Sequence, residues 1–114
     1  MKRVEVPTYT ATIFVAGEFW PAEEACRKFC DQVGLCVTIE PTRYVYTGDA
    51  ENGVRVGLIN YGRFPATPDE IFAKAEALAV RLLDWLDAES ASIVATDHTV
   101  WLSRRPADNP EDQA

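Results

Sequence analysis

Along this chain of 114 residues, apolar positions repeat with two different periods, and the switches between them mark out the elements. The clearest run lies between residues 65 and 89. Ile71, Phe72, Ala75, Leu78, Ala79, Leu82, Leu83 and Leu86 recur at the i, i+3, i+4, i+7 spacing of one helical face. Thr67-Pro68-Asp69-Glu70 opens this helix as a capping box with proline at the first helical position. The threonine hydroxyl can accept from the amide of Glu70, and Glu70 can reach back. A stripe this wide must be buried, and the strands on either side are its natural partner.

Residues 9–16 alternate instead. Tyr9, Ala11, Ile13 and Val15 fall on one face, and Thr10, Thr12 and Phe14 on the other, which predicts a strand. Gly17 ends it. Trp20-Pro21 then opens a first helix with Glu23 and Glu24 in its first turn and an inward stripe of Ala22, Ala25, Cys26, Phe29, Cys30 and Val33. Gly34 follows as a left-handed C-cap. Residues 35–47 read as a long strand, and Pro41 puts it at a sheet edge or a bulge. Residues 48–53 read as a hairpin loop by composition, and 54–61 as the return strand with Val54, Val56 and Leu58 inward. After the long helix, 92–95 and 100–103 form a terminal hairpin around Thr96-Asp97-His98-Thr99. The order strand, helix, strand, strand, helix, strand predicts an α+β, ferredoxin-like βαββαβ sandwich with an extra C-terminal strand. Two helices cover one face of an antiparallel sheet and leave the reverse face open. The expected organisation is one α+β domain over 1–105, followed by an acidic, disordered tail over 106–114.

Charge narrows the partners. The net charge is −7 and the pI about 4.6, which disfavours direct binding of nucleic acid or an anionic membrane. The N-terminus lacks the apolar core of a signal peptide, and no apolar run is long enough to span a bilayer. With the odd count of three cysteines, this points to reduced thiols in a cytoplasm.

Candidate chemistry is sparse. Cys26 and Cys30 lie four apart on a helix, but they share the apolar stripe and read as core; Cys36 alternates onto the far side of the sheet. His98 reads as an exposed turn residue beside Asp97. The acidic pairs Glu23/Glu24 and Asp69/Glu70 suit helix N-termini. No catalytic set, no metal site and no cofactor is expected: Ser–His–Asp, Gly-rich phosphate-loop and HExxH patterns are all missing. The open sheet face carries Thr10, Thr12, Phe14, Cys36, Thr38, Arg55, Ile59 and Tyr61, too apolar for plain solvent-facing surface. Arg43, Tyr44, Tyr46, Tyr61 and Arg63 form a second group of residue types favoured at binding hot spots. The candidate ligand or partner residues are therefore Phe14, Arg43, Arg55, Ile59, Tyr61 and Arg63, and self-association through the sheet is expected.

The segments LINYGRFPATPDEIFAKAEALAVRLLDWL and TVWLSRR resemble those of small, uncharacterised proteins of tailed phages and prophages. The resemblance lends no functional residue. It implies a bacterial or phage cytoplasmic setting. The resulting expectation is a non-enzymatic accessory or regulatory protein that binds another protein, such as an acidic phage-encoded inhibitor. The alternative is a small-molecule binder or enzyme, with a cleft at the open sheet face of a dimer.

Overall fold

The computed structural model describes residues 1–108. Its elements are β1 (Thr10–Ala16), α1 (Phe19–Val33), β2 (Thr38–Tyr46), β3 (Asp49–Ile59), α2 (Pro68–Leu86), β4 (Ser90–Ala95) and β5 (Thr99–Ser103), with a 3-10 turn at Pro106–Asp108. The five strands form one sheet in the order β2-β3-β1-β4-β5, every neighbouring pair antiparallel. This is the expected ferredoxin-like order with β5 added beside β4. Of the segment expected to be a disordered tail, residues 109–114 lie outside the described residues.

Both helices cover one face. The buried residues of α1 (Ala22, Ala25, Cys26, Phe29) and α2 (Ile71, Ala75, Leu78, Ala79, Leu82, Leu83) join the inward residues of β1, β3 and β4 in one core. Ile13, Leu58, Leu78, Leu82 and Ile93 are among its largest fully buried side chains. Each contributes on the order of 1.5–3 kcal/mol by leaving water.

Local chemistry explains where the elements differ from expectation. Helix α1 begins at Phe19, because that ring packs on the core; Pro21 is thus inside the first turn, and Glu23 and Glu24 lie beyond it. The two glutamates instead pair with Arg27 (3.5 Å) and Lys28 (3.9 Å) one turn on. Val33, expected inward, is exposed. Gly34 takes the left-handed conformation (φ 68°) and returns its amide to Cys30 O, as predicted. Helix α2 stops at Leu86 rather than near 89. Asp87 turns left-handed (φ 50°), and the Arg104 guanidinium closes the end by donating to Leu83 O at 2.5 Å.

The hairpin between β2 and β3 is tighter than its composition suggests. Tyr46 pairs with Asp49, so 49–53 belong to β3 and the turn is Thr47-Gly48. The polar residues there serve the ladder: Arg43 donates to Asn52 Oδ1 at 2.8 Å, and Asn52 reaches Glu18 at 3.3 Å. Tyr44 lies across Gly53, where a Cβ would sit 2.0 Å from its ring, and donates to Val54 O at 3.0 Å. Strand β2 is an edge strand, which accommodates Pro41. It starts only at Thr38, however, opposite Gly57. Leu35, Cys36 and Val37 alternate well enough to continue it, but they peel away, and the Val37 backbone lies beside the Cys30 thiol instead. Leu58 and Ile59 therefore have no β2 neighbour.

Candidate functional site

A recess of about 400 Å³ opens at this gap in the ladder. Such a volume lies within the roughly 300–1,000 Å³ typical of small-molecule sites. Gly34, Leu35 and Cys36 form one wall where the chain leaves α1. The uncovered end of β3, with Leu58 and Ile59, forms the floor. Tyr61, Phe64 and Ala66 of the β3–α2 connector and Ile71 and Lys74 of α2 complete it. The lining is mostly apolar.

One asparagine folds the connector into place. Asn60 donates from Nδ2 to Pro7 O (2.8 Å), accepts from the Ala66 amide at Oδ1 (3.0 Å), and donates its own amide to Tyr9 O (3.0 Å). The Phe64 amide returns to Tyr61 O at 3.1 Å, leaving the Phe64 ring at the rim with the Arg63 guanidinium 5.5 Å from its centre. Thr67 then caps α2: it accepts from the Glu70 amide at 3.2 Å, while Glu70 answers to the threonine hydroxyl rather than to its amide. These bonds fix where Ile71 and Lys74 enter the recess.

The polar groups on the walls are few. The Tyr61 hydroxyl lies within hydrogen-bond reach of the Cys36 thiol. That bond, then burial, then the nearby Cys36 and Cys30 push its pKa up to about 12, so it stays protonated at neutral pH. Cys30 is raised as well, chiefly by burial, and Cys26 in the core goes to about 12 for the same reason. The three cysteines are thus free thiols graded from buried Cys26 to exposed Cys36. Lys74 is half-buried and, among the described residues, has no hydrogen bond, ion pair or ring contact. Among the described residues, no carboxylate or imidazole lines the recess. Among the described residues there is no cluster of three or more His, Cys, Asp or Glu side chains able to hold a metal ion.

The residues singled out from the sequence fall into separate places. Ile59 and Tyr61 line the recess, and Arg63 stands at its rim on Phe64. Phe14 and Arg55 are cross-strand partners on the open face, the guanidinium 5.5 Å from the ring centre. Arg43 is bound to Asn52 on the β2–β3 hairpin. Cys36, expected on the sheet's far side, precedes β2 and forms part of the recess wall. His98 is in an exposed turn, as expected, but it is held there: Nδ1 lies 2.6 Å from Asp97 Oδ1, which also accepts from the Tyr9 hydroxyl at 3.1 Å, and the ring lies on Phe72.

Two solved phage SAM lyases share this fold. The first, in its apo state, aligns with a TM-score of 0.74 at 19% identity, over 92% of this chain and 96% of that chain. The second, in complex with S-methyl-5'-thioadenosine, aligns with a TM-score of 0.70 at 18% identity, over 90% of this chain and 95% of that one. No family model matches the chain, and no curated protein matches it in sequence. The expectation of a non-enzymatic accessory or inhibitor protein is overturned by this likeness, since the fold over nine-tenths or more of both chains is one that an enzyme uses. No helix among the described residues is long and apolar enough to cross a bilayer.

Sequence reasoning missed Lys74, Leu35 and Phe64. For Lys74 a signal was present. It falls three residues after Ile71 and four before Leu78, on the stripe that is otherwise apolar. A polar residue placed on a core-facing stripe is where function tends to override folding.

Proposed function

We propose that this protein is a lyase acting on S-adenosylmethionine, with the recess between β3, the connector and α2 as its binding site. The observation that carries the reading is the likeness in fold, over nine-tenths or more of both chains, to phage SAM lyases, one of them holding S-methyl-5'-thioadenosine. The recess supports it: its apolar walls suit a nucleoside thioether, and Tyr61 and Phe64 offer ring faces that attract a sulfonium. The natural setting is the cytoplasm of a bacterial host during phage infection.

The chemistry accounts for the bareness of the site. Releasing methylthioadenosine breaks the bond between the sulfonium sulfur and the aminobutyrate carbon. The sulfur keeps the electron pair and departs as a neutral thioether, so no acid is needed to protonate it. A lyase adds no water, so the carbon is satisfied from within the substrate. Either a neighbouring carbon gives up a proton to a base and a double bond forms, or the substrate's own carboxylate oxygen closes a ring on that carbon. Among the described residues the recess walls carry no carboxylate or imidazole, and the Tyr61 pKa is pushed up to about 12. Ring closure needs no protein base and therefore fits these walls better. The protein's share is to hold the chain folded and keep water out, which is catalysis by positioning.

Incubation of the purified protein with S-adenosylmethionine should release methylthioadenosine, read by chromatography. Methylthioadenosine at a hundredfold excess over its dissociation constant should stabilise the fold by about 2.7 kcal/mol. No product and no thermal shift at millimolar ligand would remove the proposal.

A further inference from the structure

We infer that Lys74 is the specificity-determining cation of the recess: it takes the carboxylate of a ligand whose other end is an uncharged nucleoside. The inference rests on the recess being the site of the activity proposed above, and it names which end of the substrate meets which wall.

The ammonium group stands out because no group among the described residues pairs with it. Other cations near the sheet and helices are engaged: Arg27 with Glu23, Lys28 with Glu24, Arg55 over Phe14, Arg104 on the end of α2 and Arg105 with Glu89. Lys74 is half-buried beside Ile71 and Leu58, yet has no partner among the described residues. The protein carries net charge −7, so acidic side chains to neutralise it are plentiful. Leaving a cation unpaired against an apolar wall forgoes an attraction that any nearby carboxylate would supply. A lysine can bury its stem and lift its charge into water. A leucine or methionine would serve that packing role equally well on this stripe. The charge itself is explained by an anion that arrives with the ligand.

The same charge sorts the two ends of the substrate. An ammonium repels a sulfonium and attracts a carboxylate, while the Tyr61 and Phe64 rings attract the sulfonium. One carboxylate oxygen on Lys74 leaves the other oxygen free to approach the carbon that the sulfur leaves. The product methylthioadenosine has no carboxylate, so it loses the Lys74 contact as soon as it forms.

Two uncleaved probes separate the contributions. S-adenosylhomocysteine has the amino-acid end and a neutral sulfur; methylthioadenosine has the nucleoside thioether alone. By isothermal titration calorimetry, Lys74→Met should weaken S-adenosylhomocysteine about tenfold or more, the usual size of a charge-assisted hydrogen bond. Methylthioadenosine affinity should change less than about twofold, which also shows that the variant is folded. Lys74→Arg should restore most of the loss. Equal weakening of both probes, or of neither, overturns the assignment of Lys74 while leaving the recess as the site. If the wild-type protein binds neither probe, the proposed function fails, and the role of Lys74 fails with it.

Discussion

The recess at the start of α2 and the open face of the sheet differ in how their charges are settled. On the open face one rung crosses all five strands, Glu40–Arg55–Phe14–Ser92–Trp101 in register. Its cation lies 5.5 Å from the Phe14 ring centre, and the ladder runs unbroken beneath it. In the recess the ladder is interrupted opposite Leu58 and Ile59, and Lys74 has no partner among the described residues. The open face carries Phe14 and Trp101, the latter 53% exposed, and composition alone draws attention to it. The recess has what a ligand site needs: volume, an apolar lining and one unanswered charge. On the proposed reading, incomplete pairing is a better guide to function here than aromatic content.

The largest expected effect contrasts these two regions directly. Ala66→Trp puts an indole into the recess and should lower methylthioadenosine affinity by more than about 100-fold, since one bulky side chain removes most of the ligand's space. Phe14→Ala on the open face should leave that affinity within about twofold. Calorimetry with both variants decides it. Should Ala66→Trp bind normally while Phe14→Ala fails, the site belongs on the open face.

Next in size is the staple that shapes the recess. Asn60→Ala removes the side-chain bonds to Pro7 O and the Ala66 amide. At about 1 kcal/mol per bond, with extra cost for orphaned partners, urea denaturation should show a loss of about 1–3 kcal/mol. Methylthioadenosine binding should weaken as well, because Tyr61, Phe64 and Ala66 all hang from that connector. A variant as stable as the parent would mean that the connector is held by something else.

Asn60 also shows where sequence reading stops. The strands, both helices, the Thr67 cap and the Gly34 terminus were legible because each rests on a local signal: a period, a hydroxyl three residues before a glutamate, a residue free to take positive φ. The late start of β2 was not. Leu35, Cys36 and Val37 alternate like strand residues, and only the three-dimensional course of α1 brings the Cys30 sulfur to the Val37 backbone. The recess exists because of those unmade rungs, so no window of sequence contains it. Strand alternation puts Ile59 and Tyr61 on the open face, and they reach the recess because it wraps around the uncovered end of β3. The proposed reaction needs no acid and no base, so it leaves no catalytic constellation for a motif search to find.

The smallest effect concerns the β4–β5 turn, at the same end of the sheet as the recess but outside it. There His98 beside Asp97 holds the Asp97 carboxyl below its ordinary value of 3.8, with the Tyr9 hydroxyl adding to this. A carboxyl whose folded value lies below its unfolded one stabilises the fold fully above the unfolded value, and that stabilisation fades as pH falls through the folded one. Asp97→Asn keeps the shape and an acceptor for Tyr9, so it removes the charge alone. Thermal melts should show the parent slightly more stable at pH 7, with the gap narrowing below pH 3.8 and closing once the parent's carboxyl is itself protonated. A gap that stays constant with pH would mean that the contact is steric and not electrostatic. Methylthioadenosine affinity should be unchanged in this variant. If it fell instead, the turn would be acting on the recess through Phe72, which lies on the His98 ring and is the next residue after Ile71 in α2.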